Sequence, residues 1–215
     1  IAAKQISVGI PMGLQYSITA IGTMMVQSSL NILGSYAVAA FTAGNKIECI
    51  FTQAFVAIGT TISTYNAQNI GAGKLDRVRQ GFRATDVIGC AYAVIAGFIL
   101  FFAGKYFSYL FISDNADVVI PMVDTYLRCV GMFLVPLYVV NCYRNGFQGM
   151  GYGLLPMLSG VAELVGRGVM AVIAANKKSY TMACMASPFA WVVATVLLIV
   201  LYFYVMKDMK KKLCL

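Results

Sequence analysis

The chain has 215 residues, of which 60% are hydrophobic and 11% charged, with a net charge of +8, no histidine and a mean hydropathy of +0.78. A soluble domain is typically about 45–50% apolar and about 25% charged, so these charges are too few to cover a globule of 23.2 kDa. Disorder is excluded and soluble catalysis strongly disfavoured, since the commonest general acid–base and metal ligand is missing.

A membrane helix needs roughly 20 mostly apolar residues, and six such runs follow one another. Because the runs are continuous rather than alternating, a membrane β-barrel is disfavoured. The expected fold is all-α, a polytopic six-transmembrane-helix bundle. The first run, Val8–Leu33, follows Ile1-Ala2-Ala3-Lys4, which has neither an initiator methionine nor a signal-peptide pattern. The chain therefore reads as beginning mid-protein. Within this run Gln15, Thr19, Thr23, Gln27 and Asn31 recur every four residues and wind slowly around one side. Such a stripe either lines a water-filled cavity or hydrogen-bonds to neighbouring helices.

Gly34-Ser35 leads into the second run, Tyr36–Tyr65. Here Thr42, Asn45, Lys46, Cys49, Gln53, Thr60 and Ser63 share one face, and Glu48 sits about 100° from its centre. Lys46 and Glu48 are two residues apart and do not face each other, so each needs a partner from elsewhere. Ionisable residues inside membrane helices are costly and mark pathways or relays by default. Cavity lining or ion coupling is the favoured reading, with a structural inter-helix pair as the other.

The third run, Thr85–Tyr106, follows the basic connection Gly71-Ala72-Gly73-Lys74-Leu75-Asp76-Arg77-Val78-Arg79. The fourth, Val118–Phe147, follows Ser113-Asp114-Asn115 and carries Pro121 early, where proline is tolerated. The second and fourth runs exceed the minimum span, so they tilt or project from the hydrocarbon. Asp124 and Arg128 are at i,i+4 and can pair on one helix. Asn141, Arg144, Asn145 and Gln148 form a polar face at the end of the fourth run, either a gate to a substrate pathway or the wet end of a long helix. Gly149–Gly153 and Pro156 introduce the fifth run, Leu154–Ala175, in which Glu163 and Arg167 again stand at i,i+4. Asn176-Lys177-Lys178-Ser179 leads into the sixth, Thr181–Met206.

Lys74, Arg77, Arg79 and Arg83 place the second connection in the cytoplasm by the positive-inside bias. Alternation then puts both termini there, with Lys4 at one end and Lys207, Lys210, Lys211 and Lys212 at the other. Asp114 and Asp117 fall outside, and Lys177-Lys178 is a local exception. The positive charge is thus a topology signal, and nucleic-acid binding is a poor reading of it. The six cysteines (Cys49, Cys90, Cys129, Cys142, Cys184, Cys214) show no ligand spacing and read as small packing residues. No nucleophile–base pair, phosphate loop or metal cluster points to catalysis, and Gly71-Ala72-Gly73-Lys74 reads as a helix stop. No cofactor is expected.

Four motifs occur in a telling order: Gly9-Ile10-Pro11-Met12-Gly13-Leu14-Gln15, Gln68-Asn69-Ile70-Gly71-Ala72-Gly73-Lys74, Gly146-Phe147-Gln148-Gly149-Met150-Gly151 and Glu163-Leu164-Val165-Gly166-Arg167. Together they resemble the multidrug and toxic compound extrusion (MATE) transporters, most closely the DinF-like bacterial branch. The resemblance covers essentially the whole chain but only the C-terminal half of the family. It implies one six-helix lobe of a two-lobed transporter, with the N-terminal lobe as its expected partner. It also implies alternating access in a bacterial plasma membrane, exporting drug-like, often cationic compounds against inward Na⁺ or H⁺. Some members carry an acidic residue at or near the position of Thr19, and this chain does not. In DinF-like relatives the important coupling aspartate lies in the N-terminal lobe. The pathway candidates are Gln15, Thr19, Asn45, Lys46, Glu48, Gln53, Asn141 and Arg144, with Lys46 and Glu48 expected to be the uncompensated intramembrane charges. A flippase for lipid-linked precursors, or a non-transporting scaffold or truncated remnant, are the alternatives.

Overall fold

The computed structural model describes residues 2–112 and 116–212. The expected turn at Ser113-Asp114-Asn115 and the cysteine at Cys214 lie outside the described residues, as does the side chain of Lys4. Eight helices are found among them: α1 (Ala2–Leu33), α2 (Ser35–Gly71), α3 (Leu75–Ser108), α4 (Ala116–Gly131), α5 (Leu134–Gly149), α6 (Leu154–Lys177), α7 (Tyr180–Cys184) and α8 (Ala186–Lys212). The six apolar runs are all helical, but two are broken.

The run expected as one helix over Val118–Phe147 is α4 and α5, bent by 54° at Met132-Phe133. The run expected over Thr181–Met206 is α7 and α8, broken at Met185. Both breaks share one cause. Pro136 and Pro188 each stand at the third position of the new helix, where they lack the N–H that would continue the previous one and crowd the carbonyl four residues back. At the first break Gly131 also lets α4 approach α3 at backbone distance: a Cβ added at Gly97 would lie 2.5 Å from the Gly131 carbonyl oxygen.

Ser35–Gly71, Leu75–Ser108, Leu154–Lys177 and Tyr180–Lys212 are long and apolar enough to cross a membrane, and the bent α4–α5 pair makes a fifth. α1 is 32 residues long but falls short in apolarity, because its glutamine and threonine stripe dilutes every membrane-length window. The α1–α2 joint is a single residue, Gly34, at φ 102, a backbone conformation that a side chain would strain.

The bundle is built as neighbours in space. α1 packs on α6, α6 on α8, and α8 on α5; α5 in turn packs on α2 and α3, with α4 against both α2 and α3. Its core is aromatic: Phe55 meets Tyr92 and Tyr138 edge-on, and Phe82 gathers Tyr143, Phe147 and Tyr202. Ile95, Phe98 and Phe102 of α3 and Val196, Val200 and Phe203 of α8 are exposed, an outward apolar belt of the kind that a bilayer covers.

Candidate functional site

Where α1, α2, α4, α5, α6 and α8 converge, they form a partly open cavity of about 250 Å³ with a mixed polar and apolar lining. Asn45 and Glu48 come from α2, Tyr126 from α4, Asn141 from α5, Arg167 from α6 and Trp191 from α8, with Thr23 of α1 at one side. Three of the sequence candidates, Asn45, Glu48 and Asn141, meet here.

Glu48 is buried on α2, one face round from the exposed polar residues Thr42, Asn45, Lys46, Cys49 and Gln53. Its carboxylate accepts the Tyr126 hydroxyl proton, and that hydroxyl in turn accepts from Asn45 Nδ2 at 3.4 Å. Tyr126 reaches this position because Gly44 has no side chain: a Cβ there would collide with the Tyr126 ring. Phe41 closes the other edge of the ring at 4.8 Å.

Arg144 and Arg167 both bind Glu163, the latter at 3.2 Å across one helical turn. Arg144 Nε also donates to Ser159 Oγ (3.2 Å), and Arg167 Nη1 donates to the Thr19 carbonyl (3.3 Å). Gly22 opens the space through which Arg167 passes to α1. Beside this triad, Gln148 Nε2 donates to Gln15 Oε1 at 3.2 Å, tying the α5 end to α1. Arg144 is therefore not simply part of a wet helix end; its charge is held in a buried ion cluster. Of the stripe on α1, Gln15 is buried in this contact and Thr19 contributes its backbone, while Thr23 faces the cavity.

Lys46 and Gln53 lie apart. Lys46 is exposed in a separate crevice of about 500 Å³ with Thr42, Phe111 and Val119. Gln53 is exposed further along α2. Asp124 and Arg128 form the expected pair at 2.8 Å on α4.

The expectation that Lys46 and Glu48 alone stand uncompensated needs one correction. Glu48 is hydrogen-bonded by Tyr126 but has no ion-pair partner among the described residues, and a further carboxylate, Asp86 of α3, also sits in the helix interior. Tyr143 Oη donates to Asp86 Oδ2 at 2.9 Å, whereas Asp86 Oδ1 is buried without a partner among the described residues. The available signal was an acidic residue one position inside the third apolar run.

A family model described as MatE matches residues 11–173. The chain is 29% identical over 157 residues to the probable multidrug resistance protein YpnP of Bacillus subtilis (strain 168), covering 73% of this chain and 35% of that protein. It is 31% identical over 75 residues to the probable multidrug resistance protein YoeA of the same organism, covering 35% and 16% respectively. In architecture it is similar to an outward-facing multidrug resistance MATE family transporter of the MOP superfamily, with a TM-score of 0.88 at 20% identity, over 95% of this chain and 46% of that one. A MOP superfamily transporter from Pyrococcus furiosus gives a TM-score of 0.87 at 20% identity over the same shares. The chain thus spans about a third of its first curated relative and just under half of these solved structures.

Proposed function

Because the chain belongs to the MatE family of membrane transporters, we propose that it is the C-terminal lobe of a secondary active multidrug exporter, working with an N-terminal lobe of the same six-helix plan. Its substrates are drug-like, often cationic compounds, exchanged against inward Na⁺ or H⁺ by alternating access. The observation that carries this reading is Glu48: a buried carboxylate, hydrogen-bonded by Tyr126, on the wall of a cavity inside a membrane bundle.

An ionised side chain at the bilayer centre costs at least about 2.5–3.5 kcal/mol, so such groups persist where they serve a pathway. Asn45, Asn141 and Thr23 supply neutral oxygens beside Glu48, suited to a desolvated cation. A cationic substrate and a coupling cation then compete for the same carboxylate, which makes binding of one favour release of the other. The exposed polar face of α2 fits a surface that meets water and the opposite lobe.

The protein sits in a bacterial plasma membrane with both termini in the cytoplasm. The basic α2–α3 connection supports that orientation. Export of a fluorescent cationic dye from cells expressing the complete two-lobed transporter tests the function. Reduced dye accumulation that depends on the ion gradient is expected; unchanged accumulation overturns the reading.

A further inference from the structure

The buried triad contains two guanidinium groups and one carboxylate, so it carries one excess positive charge. Arg144 donates from Nε to Ser159 and from Nη2 to Glu163. Arg167 binds Thr19 and Glu163 through Nη1 and Nη2, and its Nε is buried without a partner among the described residues, the residue being only 7% exposed. The same side chain forms part of the wall of the cavity that Glu48 lines. One wall therefore bears a guanidinium short of a partner, and another bears a carboxylate.

Charges in a low-dielectric interior are costly unless matched. A ligand with a cation alone matches Glu48 and leaves the excess at Arg167. An anion alone does the reverse. A ligand bearing both charges, a few bonds apart, satisfies both walls and leaves the cavity neutral. Trp191, buried at the α8 side, offers a flat apolar surface for the rest of the molecule.

We propose that this cavity takes a small zwitterion of the ammonium–carboxylate class, its carboxylate towards Arg167 and its ammonium towards Glu48. The assignment rests on the reading of the cavity as a substrate site of an exporter, and narrows its substrate class.

Trp191 is the one tryptophan of the chain, which gives a direct readout. Fluorescence of the full-length transporter carrying this chain is titrated with three probes on one skeleton: phenylalanine, phenethylamine and 3-phenylpropionate. Subtracting the signal of the Trp191→Phe protein isolates this cavity. Phenylalanine is expected to bind about tenfold more tightly than either singly charged probe. Arg167→Gln should bring phenylalanine down to the level of phenethylamine, and Glu48→Gln to the level of phenylpropionate. Arg167→Lys, which keeps the charge, should retain part of the preference.

Phenethylamine binding as tightly as phenylalanine to the unaltered protein overturns the proposal, and so does the absence of a Trp191 response to all three. Gradient-dependent dye export without the phenylalanine preference defeats this inference alone. The preference without any dye export leaves the cavity assignment standing and defeats the multidrug reading.

Discussion

The Tyr126 hydroxyl donates to the Glu48 carboxylate from a helix 78 residues further along the chain. The bond links α2 to α4 just before the bend, so the cavity's acid and the broken helix are mechanically joined. A hydrogen bond to a charged group contributes about 1.5–3 kcal/mol. Tyr126→Phe should therefore lower the unfolding free energy by an amount in that range, and reduce dye export less than Glu48→Gln does. Denaturation in detergent and transport per folded molecule measure the two effects; equal export by both variants would count against a coupling role for Glu48.

Glu48 and Glu163 should separate cleanly. Glu48→Gln removes a group facing the cavity and is expected to weaken gradient-coupled export with little loss of folded protein. Glu163→Gln strands two guanidinium groups and is expected to act first on folding. Transport normalised to folded protein should fall further in Glu48→Gln, and the reverse ranking would reassign the functional acid.

The triad also predicts an order of stability. Removing Glu163 leaves two unpaired buried cations and should cost about 3–5 kcal/mol. Arg144→Gln leaves the Glu163–Arg167 pair intact at 3.2 Å and should cost only about 1–3 kcal/mol. Melting temperatures of the two purified variants check this; a larger loss from Arg144→Gln would show that the pairing is not shared as described.

At the crossing of α3 and α4, a side chain has no room. Gly97→Ala places a methyl group against the Gly131 carbonyl, which should cost about 1–3 kcal/mol as overpacking does. Gly9→Ala, where a Cβ meets nothing within 4 Å, is the matched control. Similar melting temperatures for the two variants would contradict the close approach.

Pro136→Ala restores the missing amide donor and should let α4 and α5 straighten from their 54° bend. Spin labels at exposed positions either side of Met132 report the angle. No change in label separation would mean that packing against α3, rather than the proline, holds the bend.

Much of this architecture is legible from the helical period alone. The six apolar runs and the i,i+4 pairs Asp124–Arg128 and Glu163–Arg167 follow from spacing, because partners one turn apart on one helix need no tertiary information. The contacts Arg144–Glu163 and Tyr126–Glu48 do not, since periodicity assigns a residue to a face but not to the helix it meets. The two breaks were visible in principle: Pro136 and Pro188 stand inside apolar runs whose hydropathy simply continues across them. Asp86 is not legible as an interior charge because it lies at the edge of its run, where a charge looks like a boundary.

Gly34 couples two helices of 32 and 37 residues through one residue. Like the pin of a pair of dividers, it fixes their separation at one end and multiplies any rotation at the other. Gln15 lies about 28 Å from that pin at 1.5 Å per residue, so a swing of about 5° displaces it by about 2.5 Å. That is enough to part the 3.2 Å contact from Gln148. The Gln15–Gln148 hydrogen bond is thus a contact that a small swing of α1 about Gly34 would break.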